Sequence, residues 1–307
     1  MKVFVTGGAG FIGTALINRL NADVIVYDSL YHNQSCANMI RGDILDFNLL
    51  KRSIPSDTDI VINMAAVCGV DTVIRDPVRT MQVNTIGVSY LLEVVKELNI
   101  KRFINFSTSE VFGTNTFKQD ENCCTNLPPV GEGRWTYSVS KLAAEHLVHS
   151  YHKKFGLKTV NIRPFNTYGP GQIGEGAIHN FVMKAIRNEP LMIHGEGDQI
   201  RSWCYIDDMV DATLLCLERK EAVGEVFNIG NPRGAITVLG LAEKIVRLAH
   251  SASKIIHVPK THIDVDLRMP NIDKARNLLG FEPKVDLDDG IERTIEWYRK
   301  TENISQR

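Results

Sequence analysis

The sequence lacks any long apolar run, any block of like charge and any paired cysteine spacing. Its apolar stretches fall far short of the roughly 20 residues that a membrane helix needs. Lys and Arg number 35 against 36 Asp and Glu, for a net charge of -1. With no run of one sign, nucleic acid and charged membrane surfaces are excluded as partners. The six cysteines, Cys36, Cys68, Cys123, Cys124, Cys204 and Cys216, include no Cys-x-x-Cys and no His pair at ligand spacing. No metal site is therefore expected, and free thiols fit a reducing, cytoplasmic setting. The opening Met1-Lys2-Val3-Phe4-Val5-Thr6 meets glycine at once, too early for the apolar core of a secretion signal, and reads as a first β-strand.

What is present is alternation. Val3–Thr6, Asp23–Tyr27, Ile60–Met64, Phe103–Ser107 and Thr159–Arg163 read as buried strands, and Phe11–Leu20, Thr80–Glu97 and Tyr137–Phe155 as helices. That order predicts an α/β fold, a parallel sheet covered on both faces. From about Pro164 the pattern loosens into glycine-rich loops, with helices expected at Ala177–Asn188, Asp207–Arg219, Val238–His250 and Asp289–Lys300. With no sharp linker or repeat, the second half reads as a smaller lobe sharing elements with the first. Asp207 and Asp208 are expected to cap the helix that they open.

The run Thr6-Gly7-Gly8-Ala9-Gly10-Phe11-Ile12-Gly13 follows the first strand and opens a helix. Gly7, Gly10 and Gly13 have the G-x-x-G-x-x-G spacing that gives a tight turn, close approach to a pyrophosphate and helix packing on the strand. The helix start, with Phe11 and Ile12, offers unpaired N–H groups to phosphate. The second strand ends in Asp28, 15 residues after Gly13. Its carboxylate suits ribose hydroxyls and repels a 2′-phosphate, which points to NAD over NADP.

Tyr137 and Lys141 stand four apart in Arg134-Trp135-Thr136-Tyr137-Ser138-Val139-Ser140-Lys141. On a helix they share a face, and an ammonium beside a phenol favours phenolate, so Tyr137 is expected to serve as a base near neutral pH. A dinucleotide and a tuned phenol in one chain imply hydride chemistry on an alcohol.

Together these residues resemble the extended short-chain dehydrogenase/reductases, specifically the NAD-dependent nucleotide-sugar epimerase/dehydratase family with its UDP-glucuronate decarboxylase-like members. Further matching segments are Arg41–Ile44, Asn63–Ala66, Asn84, Ser107–Gly113, Arg163–Pro170, Gly195–Asp208, Asn228–Asn231 and Leu279–Pro283. The resemblance implies a Rossmann-type doubly wound sheet over 1–165, with segments at about 200–225 returning to it. It implies a smaller α/β lobe over 166–307 that holds a nucleotide sugar, in most relatives a UDP-sugar. Asp43 and Ile44 would contact adenine, although Asp43 also reads as a helix N-cap. Ala65, Ala66 and Asn84 would line the cofactor. Lys141 would bind the nicotinamide ribose and tune Tyr137, with Thr108 or Ser109 on the sugar hydroxyl. Asn166 would contact the sugar or its diphosphate, Arg201 and Arg268 would clamp the diphosphate, and Leu191–Gly197 would read the base. The helices Thr80–Glu97 and Tyr137–Phe155, with Val139, Leu142, Ala143, His146 and Leu147, would make a homodimer interface.

By the same resemblance Tyr137 and NAD give a transient 4-keto sugar, and the branches part from there. Glu110 suits proton transfer at C5, which favours a 4,6-dehydratase or a decarboxylase over a simple 4-epimerase; it also reads as a polar strand-end residue. Ser109 stands where many dehydratases have Asp. Arg134-Trp135 is similar to the segment of UDP-glucuronate decarboxylases and would put Arg134 near a substrate carboxylate. A net dehydrogenase that releases NADH, and a non-catalytic NAD-binding sensor, are the other readings.

Overall fold

The computed structural model describes residues 1–29, 38–260 and 265–302; Cys36 lies outside them. Seven parallel strands form the main sheet. In spatial order they are Val226–Ile229, Thr159–Pro164, Arg102–Phe106, Ile60–Asn63, Lys2–Thr6, Asp23–Asp28 and Met39–Arg41. Both faces are buried because both sets of alternating side chains are apolar. Val3, Val5, Ile60, Ile62, Ile104, Val160 and Ile162 pack on one side with the helices Phe11–Ile17 and Ile206–Glu218. Phe4, Val61 and Phe103 pack on the other with Phe47–Ser53, Gly87–Glu97 and Thr136–Phe155.

A buried polar ladder crosses this apolar sheet, and the sequence reading did not anticipate it. Thr6 Oγ1 donates to Asn63 Oδ1 (2.8 Å), Asn63 Nδ2 to Asn105 Oδ1 (2.9 Å) and Asn105 Nδ2 to Asn161 Oδ1 (2.8 Å). The four residues are register partners on neighbouring strands. Each polar group finds its partner only if the strands pair in this register, so the ladder fixes the register that apolar residues alone leave loose.

The second lobe holds a four-stranded sheet in the order Ala235–Thr237, Ile200–Ser202, Leu267–Pro270, Asn115–Gln119. Two small parallel pairs accompany it, Thr167–Tyr168 with Cys204–Tyr205 and Leu191–His194 with Ile255–Val258. The helices Ala177–Ile186, Val238–Leu248 and Leu287–Thr301 cover this lobe. Among the described residues no helix is long and apolar enough to cross a membrane.

The helix expected at Thr80–Glu97 starts earlier, at Pro77, because the Asp76 carboxylate accepts from Arg79 N at 2.9 Å and proline suits the first turn. It also carries a π turn at Gln82–Ile86 before continuing as Gly87–Glu97. Two expected caps move. Asp46, not Asp43, caps Phe47–Ser53, accepting from Leu49 N at 2.9 Å. Neither Asp207 nor Asp208 caps its helix, which starts after Tyr205 with no side-chain cap; the Asp208 carboxylate accepts from Lys284 N (2.8 Å) and Val285 N (3.1 Å), anchoring a segment 76 residues away in sequence.

Candidate active site

The expected site residues gather where the parallel strands end. Gly7 follows Lys2–Thr6, Asp28 ends its strand, Ala65 and Ala66 follow Ile60–Asn63, Thr108–Glu110 follow Arg102–Phe106, and Asn166 follows Thr159–Pro164. Strand order reverses between Lys2–Thr6 and Ile60–Asn63, the place where an open α/β sheet leaves a crevice for ligands.

The glycine loop has the shape of a dinucleotide cradle. Gly7 stands at φ +70, and a Cβ there would come 2.5 Å from Ala65 N. A Cβ on Gly13 would meet the backbone of Gly8 at 2.7 Å, which is why helix and loop can pack so closely. Beside Gly10, by contrast, a Cβ would find only Gly7 O, at 3.3 Å, leaving the loop open on that side. Gly10 gives the following helix no side-chain cap, as a phosphate-binding turn requires. The Asp28 carboxylate accepts from Ala9 N at 3.0 Å and so is already locked against the loop. These residues fit NAD. Phe11 and Ile12 open the helix and pack against the core beneath. Ile44 is buried in the second core under Gly87 and offers a ligand little surface. Asp43 pairs with Arg79 and accepts from Leu45 N at 2.9 Å. Asn84 is fully buried: its Oδ1 accepts from Val67 N (2.9 Å) and its Nδ2 donates to Val67 O (3.1 Å) and Ser140 Oγ (3.0 Å). It braces the cofactor wall rather than presenting its amide to a ligand.

Tyr137 and Lys141 share one face of Thr136–Phe155, with Lys141 Nζ 6.0 Å from the phenol ring centre. The ammonium donates to Phe106 O at 2.6 Å. Burial lowers its pKa to about 8, against the smaller upward pull of Cys68 and Glu145. Burial, with Cys68 and Glu110 adding to it, pushes the Tyr137 phenol well above its ordinary value; the Thr108 hydrogen bond and Arg268 oppose this. Burial therefore works against the phenolate expected near neutral pH. A buried phenol holds its proton until a further positive charge arrives beside it.

Glu110 is the centre of the other half. Arg134 Nη1 donates to Oε2 at 3.1 Å, Arg268 Nη1 to Oε1 at 3.2 Å, and Ser138 Oγ to Oε2 at 3.3 Å. Burial alone would raise this carboxyl, but the two guanidiniums outweigh it and hold the group below the usual carboxylate range. Arg134 stacks 4.5 Å over the Trp135 ring. Nε and Nη2 of Arg268, and Nδ2 of Asn166, are buried without a partner among the described residues. Such N–H groups are costly unless something accepts from them. Thr108 Oγ1 accepts from Glu110 N at 3.2 Å, and Thr108 and Ser109 are both buried.

Arg201 pairs in register with Arg268 on the neighbouring strand. Its guanidinium donates to the carbonyls of Ile200 (3.1 Å) and Val265. Sequence reasoning missed Ser138, Ser140 and Cys68. Cys68 is solvent-accessible, yet burial raises its thiol, with Lys141, Glu175 and Glu110 all acting on it. The polar residues directly flanking Tyr137 and Lys141 were the available signal for the two serines.

The family model described as "NAD dependent epimerase/dehydratase family" matches residues 3–230. UDP-glucuronic acid decarboxylase 4 of Arabidopsis thaliana is 35% identical over 316 residues, covering 98% of this chain and 69% of the relative. The dTDP-D-glucose 4,6-dehydratase of Dictyostelium discoideum is 32% identical over 364 residues, covering 98% and 82%. Among solved structures, UDP-glucuronic acid 4-epimerase from Bacillus cereus, in complex with UDP-glucuronic acid and NAD, superposes with a TM-score of 0.85 at 30% identity. That match covers 98% of this chain and all of that one.

Proposed function

The chain belongs to the NAD-dependent epimerase/dehydratase family, and from that premise we propose that it decarboxylates a UDP-linked uronic acid. It is an NAD-dependent enzyme of the nucleotide-sugar dehydratase/decarboxylase kind. The observation that carries the finer reading is the clamp on Glu110. A carboxylate held below its ordinary pKa by two arginines is a poor base for removing a C5 proton. Nε and Nη2 of Arg268, beside this carboxylate, are buried with no acceptor among the described residues. A sugar carboxylate would supply one.

When bound, NAD supplies the hydride acceptor at C4. Gly7, Gly10 and Gly13 would hold its phosphates, Asp28 its ribose, and Lys141 the ribose beside the nicotinamide. Tyr137 takes the C4 hydroxyl proton, with Thr108 steering that hydroxyl. In the 4-keto uronate the carboxylate is β to the ketone, so the C5–C6 bond breaks with its electrons flowing to the C4 oxygen. Carbon dioxide leaves, and no base is required. The resulting enolate needs a proton at C5, and the Glu110–Arg134–Arg268 group is placed to organise its delivery.

The test is to incubate the protein and NAD with UDP-glucuronate and weigh the product. Loss of the mass of carbon dioxide supports the proposal. An isomer of unchanged mass refutes it in favour of epimerisation, and no turnover of UDP-glucuronate with loss of the mass of water from UDP-glucose refutes it in favour of dehydration. Net NADH in proportion to product would mean that the ketone is released unreduced.

The reading extends to a homodimer. Val139, Ile86 and Phe155 are 41%, 41% and 43% exposed on the two helices expected to pair, and Ala143 and His146 continue the exposed stripe on Thr136–Phe155. A second copy covering this face would bury it. Sedimentation decides: Val139→Glu should convert a dimer to a monomer, and a monomeric parent protein refutes the assignment.

A further inference from the structure

The short helix Val70–Arg75 is not capped by its own sequence. Gly69 precedes it at φ +95 and supplies no side-chain cap, so the first N–H groups must be satisfied from elsewhere. They are satisfied from the other lobe. Asp71 N donates to Glu175 Oε2 at 3.0 Å, while Thr72 N and Thr72 Oγ1 donate to Glu175 Oε1 at 3.2 and 3.1 Å. Gly69 and Glu175 fit as a pair: a Cβ on Gly69 would stand 2.8 Å from Glu175 Oε1.

Both sides of this contact lead to the site. Cys68 directly precedes Gly69, and its thiol feels the charges of Glu175, Glu110 and Lys141 of the site. The helix also backs the turn Gly133–Trp135 that carries Arg134, since a Cβ on Gly133 would lie 3.9 Å from Ile74 Cα. On the other side, Glu175 ends a loop that begins just after Asn166. Gly171 and Gly174 in that loop stand at φ +82 and +85 with open space around them. Gln172 ties the middle of the loop to its own lobe, donating to Thr167 O at 3.2 Å and accepting from the Tyr298 hydroxyl. Glu175 ties it to the cofactor side.

We propose that Glu175 is a positioning residue for substrate capture: it latches the glycine-rich loop 169–176 across the cleft onto Val70–Arg75 and so orders the wall from Cys68 to Arg134. It acts through backbone N–H groups and touches no reacting atom. Its loss loosens the captured sugar and leaves the chemistry of the bound sugar in place. Only the kinetic arm of the test rests on the UDP-uronate reading.

The full chain with NAD, as wild type, Glu175→Ala and Glu175→Gln, tests the latch. Without any sugar, the amides of Asp71 and Thr72 should exchange about tenfold faster in the alanine variant, with glutamine between, because it keeps one acceptor oxygen. With UDP-glucuronate, KM should rise about tenfold in the alanine variant while kcat stays within about twofold. Unchanged exchange overturns the latch, as does faster exchange with unchanged KM. A fall in kcat at constant KM overturns the positioning role. If the wild type does not turn over UDP-glucuronate, the substrate reading fails, and the exchange arm still decides the latch.

Discussion

Arg268 Nη1 donates to Glu110 Oε1 at 3.2 Å, joining two residues 158 positions apart in sequence. Arg134 holds the other oxygen. The contact brings the strand Leu267–Pro270 of the second lobe against the turn that follows Arg102–Phe106 of the first. The carboxylate thus helps to assemble the site and is also weakened as a base by what it assembles. Under the proposed reading, such a site would bind a negative charge on the sugar more readily than it would pull off a proton.

Arg268→Met should therefore discriminate between two ligands that differ at C6. Affinity for UDP-glucuronate should fall by about 10- to 100-fold, the range of one hydrogen bond to a charged group. Affinity for UDP-glucose, which has no carboxylate, should change much less. Titration calorimetry with both ligands reads the difference. Equal losses would place Arg268 on the diphosphate or the shared sugar instead.

Lys141 makes the pH dependence specific. Burial moves its ammonium from the ordinary 10.5 to about 8. Between those values the unfolded chain still holds a proton that the folded chain has released. In that window this group makes stability rise with pH; below about 8 both states are charged and its contribution is flat. Lysine-selective NMR of the ligand-free protein should show one ammonium with an inflection near pH 8, absent in Lys141→Met. A Lys141 signal titrating with the exposed lysines would refute the burial argument.

The asparagine ladder is a stability feature. Asn105→Ala removes its central member and strands Asn63 Nδ2 and Asn161 Oδ1 inside the sheet. Each unpaired group costs about 1–3 kcal/mol, so unfolding in urea should show a loss of about 3 kcal/mol or more. Thr6→Val, at the end of the ladder, removes a single donor and should cost about 1 kcal/mol. Equal losses at the two positions would mean that the ladder does not act as a connected chain.

The parts of the fold and site that were legible depend on neighbours in sequence. The Gly7–Gly13 turn, Asp28 and the Tyr137–Lys141 spacing all signal through local geometry, and the strands announced themselves as apolar runs with two buried faces. The ladder stayed hidden because asparagine is a poor strand former when considered alone; its role exists only once strands pair. The same holds for Glu110 with Arg134 and Arg268, and for Glu175 with a helix more than 100 residues upstream. For Arg201 too, the contacts to the carbonyls of Ile200 and Val265 come from strand pairing and are not visible in its own segment.

Tyr137→Phe and Glu110→Gln should separate the two halves of the reaction. The first removes the phenol oxygen proposed to take and return the C4 proton; the second removes the charge that organises the arginines and leaves the phenol in place. Both should lower turnover, by about 10²- to 10⁴-fold for loss of a proton-transfer group. They should differ in a single turnover with NAD and UDP-glucuronate. On the proposed role of Tyr137 in C4 oxidation, the phenylalanine variant should give no reduced cofactor. The glutamine variant should oxidise C4 and stall, building up absorbance from reduced nicotinamide on the enzyme. Its affinity for UDP-glucuronate should hold or tighten, because a negative charge beside the sugar carboxylate has gone. If Glu110→Gln instead forms no reduced cofactor while still binding the sugar, Glu110 acts at or before C4 oxidation, and its assignment to C5 must be abandoned.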